Sequence, residues 1–123
     1  MNVAIIQLCV DPRLDHHLIR VQVGQKLAGL HLKADPIVFV NEIGGNFGPN
    51  FTHTFQLFLR EGAEVVFCGV LHHDDCVAAK HELRQPLEET RAQIKDVLGK
   101  SGTACPIYVG SITTETNLLK WSS

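Results

Sequence analysis

Two cysteines and a histidine stand at positions from which they could hold a metal ion. Cys9 follows an apolar run at residues 2–8, and His73 and Cys76 are spaced as His-x-x-Cys after another apolar run at residues 63–70. Zinc prefers thiolate and imidazole ligands in a tetrahedral set, and a catalytic zinc keeps one position open. Three such ligands with a vacant fourth position are typical of a catalytic site. The alternative is that the cysteines are ordinary buried residues at strand ends and the histidine an ordinary loop residue.

A carboxylate and an arginine lie just beyond the first cysteine. Asp11 and Arg13 are two residues apart in a segment that we expect to be extended or turning, so their side chains can lie on the same side. An arginine beside a carboxylate keeps it ionised and fixes its orientation. Such a carboxylate could accept a proton from a metal-bound water or fill the open metal position itself. The alternative is a surface ion pair that contributes little to stability.

The elements that must position these residues alternate along the chain. Short β-branched runs without polar alternation are typical of parallel strands that are covered on both faces. Such runs predict strands at 2–8, 36–40, 63–70 and 105–110, and helical patterns cover 16–30, 51–61 and 77–99. The alternation predicts a three-layer α/β fold with a doubly wound, mainly parallel sheet of about four strands. Ligands of such folds bind beyond the carboxyl ends of the strands, where the strand order reverses.

Helix boundaries and faces follow from local signals. Asp15 is the predicted N-cap of the first helix. Pro86 interrupts the third helical segment and predicts a fresh helix start at a first helical position. The tail from Ser111 to Ser123 carries no clear pattern. Four apolar residues at helical spacing predict the buried face of the first helix, and they are Leu18, Val21, Leu27 and Leu30.

Composition limits the class of protein. The chain has 123 residues, 45% hydrophobic and 20% charged, with a formal net charge of -2. These values are typical of a globular domain, and we expect one domain over residues 1–123. The charge balance argues against nucleic acid or anionic membrane as the main partner. No run is long enough to span a bilayer and no signal peptide is evident, so we expect a cytoplasmic protein whose four cysteines are free thiols or metal ligands.

The motifs together resemble those of the β-class carbonic anhydrase family. That family carries Cys-x-Asp-x-Arg after the first strand and His-x-x-Cys after the third. This chain has Cys9-Val10-Asp11-Pro12-Arg13 and His73-Asp74-Asp75-Cys76 in the same order. Between them, Val38-Phe39-Val40 and Gly44-Gly45-Asn46 are similar to the family's valine-rich strand and its Arg-Asn-Ala-Gly-Asn loop. The similarity covers most of residues 3–110.

The resemblance has specific implications for the site. It implies Cys9, His73 and Cys76 as zinc ligands, with Asp11 and Arg13 as the family's gating dyad. It implies a zinc lyase, a carbonate dehydratase, that hydrates carbon dioxide reversibly to bicarbonate through a zinc-bound hydroxide. It also implies a homodimer or a larger homo-oligomer with the active site near the interface.

The chain differs from the family's pattern near the expected site. Glu42-Ile43 replaces the family's Arg-Asn, and Val77 replaces the glycine after the second cysteine. Two extra residues precede the adjacent His72 and His73, so either histidine could be the ligand, and the spacing to Cys76 favours His73. These differences keep two alternatives open. One is a non-catalytic zinc-binding protein, and the other is a hydrolase of carbonyl sulfide or carbon disulfide.

Overall fold

The computed structural model describes residues 1–122, which form one five-stranded sheet and four helices. Within these residues no helix is both long and apolar enough to cross a bilayer. A short 3-10 turn over Ile43–Gly45 follows the second strand. In chain order the strands and helices are β1 (Asn2–Cys9), α1 (His16–Gly29), β2 (Ile37–Glu42), α2 (Pro49–Arg60), β3 (Glu64–His73), α3 (Val77–Lys80), α4 (Leu87–Lys100), β4 (Ile107–Thr113) and β5 (Leu118–Trp121).

The strand order is β2-β1-β3-β4-β5, which confirms the doubly wound arrangement. The first four strands are parallel and β5 runs antiparallel to β4. The chain leaves β1 toward β2 but leaves β3 toward β4, so the strand order reverses between β1 and β3. A crevice therefore forms beyond the carboxyl ends of these two strands. Those ends are Cys9 and His73.

The sheet lies between two helical layers because successive residues of β1 point to opposite faces. Ala4, Ile6 and Leu8 are buried on the side of α1. Val3 and Ile5 are buried on the other side, against α2 and α4. This burial on both faces is the reason that β1 is a continuous apolar run. The predicted three-layer α/β fold is confirmed.

The strand predictions are correct in position, but the sheet has one more strand than the expected four. The fifth, β5, is formed by the tail in which the sequence shows no pattern. It has four residues and lies at the edge of the sheet, and its first residue, Leu118, is 64% exposed. An edge strand this short and exposed has no apolar run that could reveal it.

The first helix confirms its predicted cap and corrects its predicted face. The Asp15 side chain accepts hydrogen bonds from the backbone of the first turn, as an N-cap does. The prediction that Leu18 and Val21 belong to the buried face is wrong, because they are 45% and 47% exposed. The face that meets the sheet is rotated about the helix axis and has a spacing of four. Its buried residues are Ile19, Val23 and Leu27.

The segment 77–99 divides at its proline, as predicted. The one-turn helix α3 ends at Lys80, and α4 begins at Leu87. The prediction places Pro86 at the first helical position, whereas in the structure Pro86 is the N-cap and the helix begins one residue later. At either position the missing N–H of proline costs nothing, since the first turn of a helix has no internal acceptor for it.

Candidate metal centre

Cys9, His73 and Cys76 meet at the carboxyl ends of β1 and β3. Cys9 is the last residue of β1, His73 is the last residue of β3, and Cys76 is the N-cap of α3. Asp75 has a φ of 53°, and this left-handed conformation turns the chain sharply between the histidine and the second cysteine. One ligand atom from each of the three residues lies within 4.8 Å of the other two. All three side chains are in the buried core of the molecule.

The chemistry of this cluster fits a zinc ion. The Nε2 atom of His73 is buried and has no hydrogen-bond partner within residues 1–122. Burial is the main cause that lowers the pKa of His73, so the imidazole is neutral at neutral pH, as a metal ligand must be. A buried polar atom without a partner, such as Nε2, costs free energy unless a ligand binds it. A lone pair beside two thiols is the donor set that zinc prefers.

The two thiols are also poised for a cation. Burial is the largest cause that raises the pKa of Cys9, and the neighbouring Cys76 raises it further. Backbone hydrogen bonds from Asp11 and Gly44 act in the opposite direction. A cation bound between the two sulfur atoms would offset the cost of a buried thiolate at Cys9.

The structure brings His73, not His72, to the cysteines. The two residues are adjacent on β3, so their side chains point to opposite faces of the sheet. The His72 ring lies under the loop after β2, where a Cβ on Gly45 would be 3.7 Å from its Cδ2 atom. Burial and then the charge of Arg84 lower the pKa of His72 to about 4.

Asp11 and Arg13 form a close pair at the edge of the cluster. Arg13 donates to the Asp11 carboxylate through Nη2 at 2.7 Å and through Nε at 3.1 Å. These hydrogen bonds are the largest cause that lowers the pKa of Asp11 to about 2. The Asp11 side chain is 9% exposed, and its Oδ2 atom lies 3.9 Å from Nε2 of His73. The pair is therefore partly buried beside the candidate ligands and differs from a solvated surface ion pair.

Cys9 of the cluster and the neighbouring Asp11 line an apolar cavity of about 310 Å³. Val77, which stands where the resembling family has a glycine, lines this cavity and is 58% exposed. A larger groove of about 880 Å³ lies between α2 and α4, on the other face of the sheet, and shares no lining residue with the first cavity. The lining of the smaller cavity consists of Cys9, Val10, Asp11, Pro12, Ile43, Gly44, Val77, Ala78, His81 and Leu83.

The loop after β2 packs closely against β1 and β3 beside the site. Gly45 has a φ of 70°, and a Cβ there would lie 3.2 Å from the Leu71 carbonyl oxygen and 3.5 Å from the Cys9 nitrogen. Only glycine allows the loop to approach both strand ends this closely. The buried Gln7 also holds the loop, since its Nε2 donates to the carbonyl oxygen of Asn46 at 2.7 Å.

Two residues of the tail contact the site, and the sequence analysis assigned neither. Thr114 Oγ1 lies 2.9 Å from Nδ1 of His73. Asn117 donates from Nδ2 to the Arg13 carbonyl at 3.2 Å and accepts from the Asp15 N–H at 2.8 Å. The single local signal is an asparagine in a polar turn, a residue that tolerates the left-handed backbone that Asn117 adopts.

The sequence matches no protein-family model and no curated protein. The structure is similar to a tetrameric β-carbonic anhydrase from Sordaria macrospora, with a TM-score of 0.58 and 12% identity over 98% of this chain and 80% of that one. It is also similar to a β-carbonic anhydrase from Coccomyxa in complex with acetazolamide, with a TM-score of 0.59 and 10% identity over 97% of this chain and 71% of that one.

The chain has the β-carbonic anhydrase fold. A carbonic anhydrase from Streptococcus mutans is also similar, with a TM-score of 0.60 and 16% identity over 98% of this chain and 81% of that one. Identities this low establish the arrangement of the strands and helices alone. The fold expected from the two motifs of this β-carbonic anhydrase-like chain is thus confirmed, while the roles of its site residues remain predictions.

Proposed function

We propose that this chain is a zinc-dependent carbonic anhydrase-like lyase that hydrates carbon dioxide reversibly to bicarbonate. One observation carries the proposal: Cys9, His73 and Cys76 converge within 4.8 Å at the point where the strand order reverses. These three residues would hold the zinc ion. When bound there, zinc supplies a Lewis acid that lowers the pKa of water enough to make a nucleophile at neutral pH.

Asp11 would accept a hydrogen bond or a proton at this site, and Arg13 would keep it ionised and oriented. Arg13 keeps Asp11 ionised, so the carboxylate can accept a hydrogen bond or a proton from a water molecule in the cavity. Both carboxylate oxygens are bound by Arg13 side-chain nitrogens, which hold them in a fixed orientation. The Oδ2 atom is directed toward the cluster, 3.9 Å from His73 Nε2.

The cavity supports a small apolar substrate. Apart from Asp11, His81 and the cluster cysteine, its lining consists of apolar side chains and glycine. Carbon dioxide is small, linear and apolar, so it can enter between such walls at little desolvation cost. The same walls offer few hydrogen bonds to the bicarbonate product, which favours its release. Carbonyl sulfide and carbon disulfide share its shape, so these two compounds are the competing substrates to assay.

The position of Asp11 favours catalysis over a purely structural zinc site. A structural zinc has four protein ligands, and within residues 1–122 the cluster supplies three, without Asp11. Arg13 binds Asp11 at the edge of this set, so the carboxylate is not committed to the metal position. The fourth position is therefore left for a water molecule or a substrate.

The test is carbon dioxide hydration by stopped flow at alkaline pH, on protein of measured zinc content. We expect turnover that disappears when a chelator removes the zinc and returns when zinc is added. Fully zinc-loaded protein without turnover would overturn the proposal. Hydrolysis of carbonyl sulfide or carbon disulfide by that same preparation would then identify a hydrolase.

We also propose that a second copy of the chain covers the mouth of the cavity. Four large apolar side chains on its lining are 53–61% exposed, and they are Val10, Ile43, Val77 and Leu83. Clustered apolar exposure of this kind is typical of an interface. Light scattering should give the mass of a dimer or a larger oligomer, and Leu83→Glu should lower it. The control is Leu57→Glu on α2, which is 56% exposed and does not line the cavity.

A further inference from the structure

The hydroxyl group of Thr114 lies between the ring of His73 and the backbone of Asp74. Its oxygen is 2.9 Å from Nδ1 of His73, and it donates its proton to the carbonyl oxygen of Asp74. A threonine hydroxyl has only one proton to donate. Because a carbonyl can only accept, that proton is used on Asp74. Toward His73 the hydroxyl can therefore act only as an acceptor.

This arrangement defines the tautomer of His73. Nδ1 must carry the ring proton that is donated to Thr114, so the neutral ring has its lone pair on Nε2. Nε2 is buried without a hydrogen-bond partner within residues 1–122. Across a gap of 3.9 Å it faces Asp11 Oδ2, which is also an acceptor. The lone pair of Nε2 is therefore left free to bind a metal ion together with the two cysteines.

Thr114 is itself held firmly. Its backbone N–H donates to Asp74 Oδ1 at 2.6 Å, and the Asp74 N–H donates to the carbonyl oxygen of Ile112 at 3.2 Å. The residue directly follows β4 and is 7% exposed. Asp74 and Thr114 thus bind each other through two hydrogen bonds, which fix the hydroxyl relative to the end of β3.

We propose that Thr114 is a positioning residue of the metal site, which fixes the Nδ1-protonated tautomer and the ring orientation of His73. This inference rests on the proposed function, because it assigns Thr114 a role in zinc binding. Valine has the shape of threonine without the hydroxyl. Thr114→Val would remove this acceptor from the Nδ1 proton and make it easier for the proton to move to Nε2, where it would block the metal. Partners of this kind typically contribute ~10–100-fold to metal affinity.

The first experiment measures zinc affinity by competition with a chromophoric chelator. We expect Thr114→Val to bind zinc ~10–100-fold more weakly than wild type. Thr114→Ser keeps the hydroxyl and should restore the affinity. The control is Thr113→Val, the same change at the exposed neighbouring position. Circular dichroism verifies that each variant is folded. Thr114→Val protein that binds zinc as tightly as wild type would overturn the inference.

The second experiment needs neither a variant nor zinc. Long-range ¹H–¹⁵N correlation spectra of the metal-free wild type report which ring nitrogen of each histidine is protonated. We expect the Nδ1-protonated form for His73, and the Nε2-protonated form would overturn the role of Thr114. Failure of the wild type to bind zinc would instead overturn the proposed function, and the two failures are thereby distinguished.

Discussion

Arg13 holds the carboxylate of Asp11 with two side-chain hydrogen bonds, from Nη2 to Oδ2 at 2.7 Å and from Nε to Oδ1 at 3.1 Å. The same guanidinium donates to Asp75, to Oδ2 at 2.7 Å and to the carbonyl oxygen at 2.8 Å. Arg13 therefore ties the loop after β1 to the loop after β3. Cys9 directly precedes the first of these loops, and Cys76 ends the second. Arg13 thus orients the Asp11 carboxylate and also links the two segments that carry the cysteines.

Asp11→Asn should keep its zinc and lose most of its activity. Asparagine has the same size but cannot take up a proton, so we expect carbon dioxide hydration to fall by about 10²-fold or more. Zinc content and stopped-flow rates are measured on the same preparation. Asp96→Asn, an exposed position on α4, serves as the control and should leave both unchanged. Full turnover in the Asp11 variant would contradict the role given to this carboxylate.

Cys76→Ser should lose the metal. A serine hydroxyl is a poor zinc ligand compared with a thiolate, so we expect the zinc content to fall from about one ion per chain to almost none. The matched control is Cys105→Ser, which removes a thiol that lies 3.9 Å from Cys68 Sγ and outside the cluster. Both variants are analysed by metal emission spectroscopy after dialysis. If Cys76→Ser retains full zinc, Cys76 is not a ligand.

Arg13→Gln should reduce the stability of the metal-free protein in a pH-dependent way. The pKa of Asp11 is lowered from 3.8 to about 2 in the folded protein. A group with a lowered pKa stabilises the folded state above its unfolded pKa, and this contribution is lost as the pH falls from about 4 to about 2. Without Arg13 the folded pKa returns toward 3.8, and the contribution disappears.

Urea unfolding of metal-free wild type and Arg13→Gln between pH 7 and pH 2 measures this effect. We expect the variant to be less stable at pH 7, and the difference to shrink as the pH passes below about 4. The exposed pair of Lys100 with Asp96 provides a control, because Lys100→Gln should change stability little at any pH. A difference for Arg13→Gln that is constant with pH would show that the arginine acts through packing alone.

The convergence of the three candidate ligands could be predicted because it depends on simple rules. Apolar runs reveal the buried strands, and an open parallel sheet with right-handed crossovers must reverse its strand order if helices are to cover both of its faces. Cys9 directly ends β1 and His73 directly ends β3. The choice between His72 and His73 also follows once the strand is known, since adjacent residues point to opposite faces.

The contacts that the turn after β4 makes with the site could not be predicted. Thr114 meets His73 across 41 positions, and Asn117 meets Arg13 across 104. Both belong to a polar turn between two strands, and polar turn residues are usually solvated. The buried face of α1 was missed for a related reason. Leu18 and Val21 fit a helical spacing, but which face of the helix meets the sheet is decided by packing and not by the helix itself.

Gly45→Ala should lower both stability and metal affinity, because two separate costs act at this position. Alanine costs ~1–2 kcal/mol in the left-handed conformation, and Gly45 has a φ of 70°. In addition, the new Cβ would lie 3.2 Å from the Leu71 carbonyl oxygen and 3.5 Å from the Cys9 nitrogen. Relief of this contact pushes the loop away from β1 and displaces the backbone that carries Cys9.

Gly62→Ala separates the two costs. Gly62 has a φ of 74°, and a Cβ there would meet no atom within 4 Å, so this variant carries the backbone cost alone. In urea unfolding at pH 7 we expect Gly45→Ala to be less stable than Gly62→Ala, and only Gly45→Ala to bind zinc more weakly. The difference between them measures how closely the loop is held against the site. Equal losses of stability with unchanged zinc affinity would mean that the loop moves freely and does not position Cys9.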